Sequence, residues 1–414
     1  MTPAGRKRAK IMMFLGVIGP GIIAASAGND SGGISTYSVA GAKYGYTMLW
    51  AMLAMTPSFI IVQEMAGRMG AVTGKGFAAL IRERFGLRPT FVAMLMLLAS
   101  NAATTIAEFA GIAAAMELFG VSRYLSVPIA AVVVWLLVVR GSYRNVETVL
   151  LALSGVFTAY IVAAVLAHPD WRQVAHAFVV PHVVPDKAFI ALAIGLTGTT
   201  IAPWMQFLLQ SQVVEKGTTI KEWGFAKWDA MVGAASANVV ACFIIITTAA
   251  VLFPEHIAVT SAKEAAQALA PVAGPYARVL FAIGLLSAST IAAAVLPLTA
   301  SYSICEAFGF EAGVDRTWAE APIFNGLYTV IIFGSAALIL IPGISLIAIM
   351  LVSQVVNGIL LPFLLIFLIR IINDRRIMGR YVNGRVYNVL SWATIVTVIS
   401  LTVALLAMTV LGIG

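Results

Sequence analysis

Apolar stretches long enough to cross a bilayer recur along the whole chain, at 11–27 continuing to 41, 46–67, 91–119, 126–140, 147–167, 188–214, 230–253, 277–307, 323–341, 344–371 and 387–411. A helix needs about 20 such residues to span the hydrocarbon, and within lipid a helix satisfies all of its own backbone polar groups. The pattern therefore predicts an all-α integral membrane protein with eleven transmembrane helices, one transmembrane domain over 1–414. Composition agrees, since 61% of the 414 residues are hydrophobic and 11% are charged, whereas soluble domains carry about a quarter charged residues. The net charge of +8 does not point to nucleic acid, because Lys and Arg are spread through short loops between spans and gather on no single soluble face.

Those loops set the expected orientation. With the N-terminus cytoplasmic, Arg6, Lys7, Arg8, Lys10, Arg68, Lys75, Arg82, Arg84, Arg88, Arg140 and Arg144 fall inside, as do Lys216, Lys221, Lys227, Arg316, Arg370, Arg375, Arg376, Arg380 and Arg385. Lys43, Arg123, Arg172, Lys187, Lys263 and Arg278 are left for the other side. This asymmetry is the positive-inside pattern, and an odd number of spans puts the C-terminus outside a multi-pass cell-membrane protein. The basic start MTPAGRKRAK is followed by no small-residue cleavage site before Asp30, so the N-terminus is expected to be retained. Two loop segments, 254–276 outside and 71–86 inside, read as short surface helices. Cys242 and Cys305 lie in or near spans and form neither a disulfide framework nor a zinc pattern.

The first span is interrupted at Asn29, Asp30, Ser31, Gly32 and Gly33. A carboxylate at this depth costs about 3 kcal/mol or more, so Asp30 needs a partner: a bound cation, a Lys or Arg, or a proton. The two glycines would let the backbone leave the helix and free carbonyls that a membrane tolerates only around a cavity or a ligand. The sixth span is interrupted too, at Gly195, Gly198, Thr199, Thr200 and Pro203, which by itself also reads as a Pro kink filled by Thr hydroxyls. Interrupted spans five apart point to a transporter of two inverted five-helix repeats with its site at their interface. The expected repeats are 11–167 and 188–371, with 387–411 as an extra helix.

Few other polar groups lie deep enough to serve a cation: Asn101, Thr104, Thr105 and Glu108 on the third span, Gln354 and Asn357 on the tenth. Thr104 and Glu108 share one helix face, as do Gln354 and Asn357. Carboxylate, amide and backbone oxygens suit a hard divalent ion, whereas softer transition metals prefer His, Cys or Met. His168, His176, His182 and His256 all fall in expected outer loops, and the methionines read as packing. Glu108 reads equally as a structural carboxylate bonded to helix backbone, Gln354 and Asn357 as interhelical glue, and Glu64 with Arg68 as a plain helix ion pair.

At this point the chain resembles the NRAMP family of divalent-metal transporters. RMGAVTGKGFAALIRERFG at 68–86 is similar to the family's loop after its second span, GPG at 19–21 followed by Asp30 to its first span, and SQVVNGILLPFLLIFLIRIINDRRIMG to its tenth. The resemblance implies a LeuT-like fold with broken first and sixth helices over essentially the whole chain. The departures are specific. The family's first-span Asp-Pro-Gly-Asn reads Asp30, Ser31, Gly32, Gly33 here, and its sixth-span Met-Pro-His reads Ala202, Pro203, Trp204. Thr105 stands where the family has an Asp three residues before its Glu, which is Glu108, and Leu209 replaces another family histidine.

Loss of the thioether and of the proton-path residues is similar to the NRAMP-related magnesium transporters. It implies Asp30, Gly33, Thr199, Ala202, Gln354 and Asn357 around the ion, with Thr104, Thr105, Glu108 and Trp204 behind it or gating it. Magnesium, with manganese tolerated, fits such an oxygen-lined site because it dehydrates reluctantly and keeps waters. Proton coupling is not expected. The remaining readings are a proton-coupled manganese or iron transporter, an amino-acid or organic-solute carrier of the same fold, and a magnesium channel. A membrane enzyme finds no paired nucleophile and base. No resident cofactor is expected, the partners being the transported ion and the bilayer, and a monomer would suffice.

Overall fold

The computed structural model describes residues 30–139, 158–314 and 316–411. The basic N-terminus, the first part of the first expected span (11–29), the Arg140 and Arg144 loop and residues 147–157 of the fifth span lie outside the described residues.

The chain is helical throughout what is described. Helix α1 (Ser31–Tyr44) turns through a 3-10 segment, Gly45–Met48, into α2 (Leu49–Thr73), a turn that Gly45 permits by its φ of 58°. There follow α3 (Phe77–Phe85), α4 (Leu87–Leu118), α5 (Arg123–Val139), α6 (Thr158–Leu166) and α7 (Trp171–Val179). The sixth expected span is two helices, α8 (Lys187–Thr200) and α9 (Pro203–Glu215). Then come α10 (Ile220–Val251), α11 (Ala262–Gln267), α12 (Ala270–Ala273), α13 (Ala277–Phe308), α14 (Pro322–Ile339), α15 (Leu346–Ile372), α16 (Arg375–Met378) and α17 (Arg385–Leu411). Eight helical runs among the described residues are long and apolar enough to cross a membrane: Ser31–Thr73, Leu87–Leu118, Lys187–Glu215, Ala226–Val251, Gly274–Phe308, Pro322–Ile339, Leu346–Ile372 and Arg385–Leu411.

Helix α4 packs along α13 and against α15, α15 also covers α8, and α10 lies against α1 and α2. Packing sorts the apolar side chains into two clusters. One holds Ile34, Tyr37, Phe109, Leu196 and Met350, and the other Leu97, Ile201, Trp204, Leu296 and Leu361. Ser100, Thr104, Thr105, Thr199, Gln354 and Asn357 fall between the two clusters on their respective helices, Asp30 joins them at the start of α1, and all are buried. A polar layer thus crosses the bundle between two apolar ones, and its groups must find partners in one another or in a ligand.

Several local expectations change. The glycines of the two interrupted spans are not where the helices break. Asp30, with φ −69° and ψ 176°, is the last extended residue before α1, and Gly32 and Gly33 sit inside the first turn. In the sixth span the break is at Ile201 and Ala202, with Pro203 opening α9, where its missing N–H costs nothing. The glycines serve close approach instead. A Cβ on Gly32 would lie 1.9 Å from Gln354 Nε2, and one on Gly198 would lie 2.2 Å from the Gln354 carbonyl and 2.3 Å from the Gly358 nitrogen.

The outer segment 254–276 is three short pieces, Ala262–Gln267, Ala270–Ala273 and a 3-10 turn Gly274–Tyr276, because Pro271, Gly274 and Pro275 interrupt it. The inner segment forms α3, with Arg82 and Arg84 exposed as expected. Glu64 and Arg68 do pair, at 3.2 Å, but the pair is buried and wider than a helix contact. Arg68 also donates to the Tyr381 carbonyl at 2.6 Å and to Asn383 Oδ1 at 2.5 Å, while Trp223 Nε1 donates to Glu64 at 3.4 Å.

Candidate metal site

Asp30 caps α1. Its Oδ1 accepts from the Gly33 N–H at 2.6 Å, and the residue is 2% exposed. The neighbouring N–H, that of Ser31, donates to Glu108 Oε2 at 3.1 Å. The first turn of a helix leaves its N–H groups without intrahelical partners and carries a partial positive charge, so both deep carboxylates answer the same demand. Of the two readings open for Glu108, the geometry shows the backbone contact. Its other oxygen, Oε1, has no hydrogen-bond partner among the described residues and faces the Ser289 hydroxyl. Gly111, one turn further along α4, keeps α1 and α13 close there, since its Cβ would lie 2.4 Å from Ser31 Cβ and 2.3 Å from Ser289 Oγ.

From Asp30 a chain of side chains runs across the polar layer. Gln354 Nε2 donates to Asp30 Oδ1 at 3.4 Å, and Asn357 Nδ2 donates to Gln354 Oε1 at 3.1 Å and to Thr104 Oγ1 at 2.9 Å. Ser100 Oγ donates to Asn357 Oδ1 at 2.5 Å. The spacing of Gln354 and Asn357 on one face of α15, and of Ser100 and Thr104 on one face of α4, is what lets two helices present four polar groups in register. Asp30, Gln354, Asn357 and Thr104 are therefore brought together.

The other candidates are placed differently. Thr105 Oγ1 donates back to the Asn101 carbonyl of its own helix at 2.7 Å. Gly33 presents its N–H to Asp30. Thr199 is 1% exposed and lies with Thr200 beside the Tyr37 hydroxyl, which meets Thr200 Oγ1 at 3.3 Å. The Ala202 carbonyl accepts from the Met205 N–H at 3.2 Å, starting α9. Trp204 is fully buried in the apolar cluster with Met205 and Phe207, and its indole N–H has no partner among the described residues.

Sequence reasoning passed over Ser31, Ser100, Ser289 and Tyr37. Ser100 sits one turn before Thr104, a spacing that would have found it; Ser289 comes from a distant segment, and Tyr37 meets a partner 163 residues away, with no local signal. Met350, one turn before Gln354, accepts from Ser35 Oγ through its sulfur at 3.3 Å, so a thioether stands near the polar layer. At the far end of α1, Tyr44 donates to Asp186 Oδ2 at 2.8 Å, tying α1 to the cap of α8. Burial acts to raise the Asp186 carboxyl, but the Phe189 N–H, the Tyr44 hydroxyl, the Ala188 N–H and the Lys43 ammonium hold it below its ordinary value.

Among the described residues no group of three or more His, Cys, Asp and Glu is placed to hold a metal. The polar layer instead offers one capping carboxylate together with amide, hydroxyl and main-chain oxygens, a hard donor set.

Comparison with known proteins gives a consistent picture. A divalent metal cation transporter, MntH, from Burkholderia ambifaria is 28% identical over 412 residues, covering 95% of this chain and 89% of the relative. The structure of the Eremococcus coleocola manganese transporter, in complex with an aromatic bis-isothiourea substituted compound, matches with a TM-score of 0.79 at 23% identity, covering 95% of this chain and 86% of that one. The structure of MhsT in complex with L-phenylalanine matches with a TM-score of 0.58 at 14% identity, over 94% and 97% of the two chains. The shared architecture is the LeuT-like one. A family model described as natural resistance-associated macrophage protein-like covers residues 21–408, and the chain therefore belongs to the Nramp family, whose members are transporters and not enzymes.

Proposed function

We propose that this Nramp-family chain carries divalent metal ions across the membrane by alternating access, with Asp30 as the charged ligand, magnesium as the preferred ion and manganese tolerated. The supporting observation is the hydrogen-bonded layer that joins Asp30, Gln354, Asn357 and Thr104 and contains oxygen and nitrogen but no imidazole. Ala202 and Trp204 supply neither thioether nor imidazole at the sixth-span break. Oxygen donors do not favour softer ions, and a magnesium ion keeping part of its water would need few direct ligands. This donor set supports a likeness to the NRAMP-related magnesium transporters.

The buried layer suggests how an ion is received. Gln354 turns its amide nitrogen toward Asp30 and its oxygen toward Asn357. A cation beside Asp30 would reverse that preference: rotating the amide presents Oε1 to the ion, and the Asn357 amide must turn with it to keep its partner. Thr199 and main-chain oxygens at the break between α8 and α9 would complete the shell, directly or through water. Asp30, Gln354 and Asn357 are 2%, 0% and 0% exposed, so loading requires the half-helices to move. The Arg-rich side, with the N-terminus, is assigned to the cytoplasm.

Transport is proposed to run without protons. No His lies in the described part of the layer, and Glu108 spends one oxygen on the Ser31 N–H. The competing reading, a proton-coupled manganese carrier, draws support from the divalent metal and manganese transporters among its relatives and from the Met350 sulfur near the layer. Proteoliposomes holding a pH dye separate the two. Magnesium entry that follows membrane potential without lumenal acidification supports the proposal, whereas manganese entry with acidification and no magnesium uptake rejects it.

A further inference from the structure

A groove lies at the Arg-rich end of the last two long helices. Helix α15 ends with Arg370 in its final turn, Asn373 closes it, α16 carries Arg375 and Arg376, and α17 returns past Trp392. Arg84 arrives from α3 because Phe85 packs edge-on against Phe367 of α15, with ring centroids 5.1 Å apart. The groove measures 520 Å³ and is lined by Arg84, Arg370, Asn373, Arg375, Arg376 and Trp392, together with Ile369 and Asp374.

Its lining carries four guanidinium groups against one carboxylate. That carboxylate is already committed. Asp374 meets Arg84 Nε at 2.5 Å and accepts from the Arg376 N–H at 2.9 Å. Among the described residues, no acidic side chain pairs with Arg370, Arg375 or Arg376. Three cations left to converge on one open volume repel one another unless an anion joins them, and planar guanidinium forks match phosphate oxygens.

The source of that phosphate is indicated by the walls. The groove sits where two membrane-crossing helices emerge, the level of the headgroups. Helix α17 is the least covered of the apolar runs, with 17% of its most apolar window buried, and Val389, Trp392 and Val396 are exposed along it at 67%, 43% and 59%. Trp is the side chain that favours the interface between hydrocarbon and headgroup, and basic pockets between spans on the cytoplasmic side suit anionic headgroups. A free phosphate would use the arginines but gain nothing from this apolar wall. We propose that the groove binds the phosphate-bearing headgroup of an anionic phospholipid, with the acyl chains lying along the outer face of α17.

The test counts lipids retained by the purified transporter, by native mass spectrometry after titration with phosphatidylglycerol or phosphatidylcholine. The wild type should hold phosphatidylglycerol in preference, and Arg370→Gln/Arg375→Gln/Arg376→Gln should lose it by at least about tenfold. A control with the same charge loss elsewhere on that side, Arg82→Gln/Lys221→Gln/Lys227→Gln, should change retention less than about twofold. Equal loss in both variants would reduce the effect to general surface charge and overturn the proposal, as would retention in the groove variant. Trp392→Ala keeps every cation and should weaken phosphatidylglycerol while leaving millimolar inorganic phosphate unable to compete. Phosphate that displaces the lipid from wild type and binds Trp392→Ala unchanged would make the ligand a free anion and overturn the lipid assignment.

Discussion

The N-terminal ends of α1 and α9 are built from different chemistry. At the first, a charged side chain caps α1, Glu108 supplies a second carboxylate to the adjacent N–H, and Gln354 links the cap to α4 and α15. At the second there is no charge: Thr199, Pro203 and Trp204 flank the non-helical Ile201 and Ala202, and the fit of α8 on α15 is set by the absence of side chains at Gly198 and Gly358. Charge compensation is thus concentrated on one side of the polar layer and shape on the other. Under the proposed function, an ion held this way would have one anionic ligand and a neutral opposite wall where water can remain.

The sharpest way to break the comparison is Asp30→Ala. Removing the one charged partner of a buried ion costs about 3 to 5 kcal/mol, so uptake into proteoliposomes should fall by at least about a hundredfold with the protein still monodisperse. Normal uptake would move the charge elsewhere. Next comes Gly198→Ala on the neutral side, where a new Cβ meets main chain of α15 at 2.2 and 2.3 Å. Overpacking of this kind costs about 1 to 3 kcal/mol, read as a lower melting temperature with uptake lost in parallel. A variant as stable as wild type would show that α8 and α15 can part without cost.

Glu108 divides charge from capping. Glu108→Ala leaves the buried Ser31 N–H without its acceptor, at about 1 to 3 kcal/mol, whereas Glu108→Gln keeps an oxygen for it. The Ala variant should melt below the Gln variant in the same detergent; identical melting curves would remove Glu108 from the helix cap. Gln354→Ala should raise the apparent ion constant about tenfold or less, since water can replace one neutral oxygen, and an unchanged constant would detach Gln354 from the ion. The smallest effect is expected from Trp204→Phe. Its N–H has no partner to lose among the described residues, so a change in uptake of less than about threefold is expected from the altered volume alone; a larger change would give the neutral wall a polar role.

Much of this was legible from residue order. Helical spans, the depth of Asp30 and Glu108, and the pairing of Gln354 with Asn357 follow from hydropathy and the helix repeat. The glycines were misread, because Gly32, Gly33 and Gly198 look the same in sequence whether they end a helix or admit a neighbour, and only the neighbour decides. Pro203 did mark its break to within two residues, since a proline states a local constraint.

By itself the sequence determined the membrane-spanning helical class, the interruption of the sixth span and the inventory of deep polar groups, because each rests on interactions within a turn or two of helix. Tertiary packing alone decided which of those groups meet. The bond from Ser31 to Glu108 spans 77 residues and that from Gln354 to Asp30 spans 324, distances at which no periodicity carries information. It is the contact of α1, α4 and α15, fixed by the small residues between them, that turns separate polar side chains into one layer able to receive an ion.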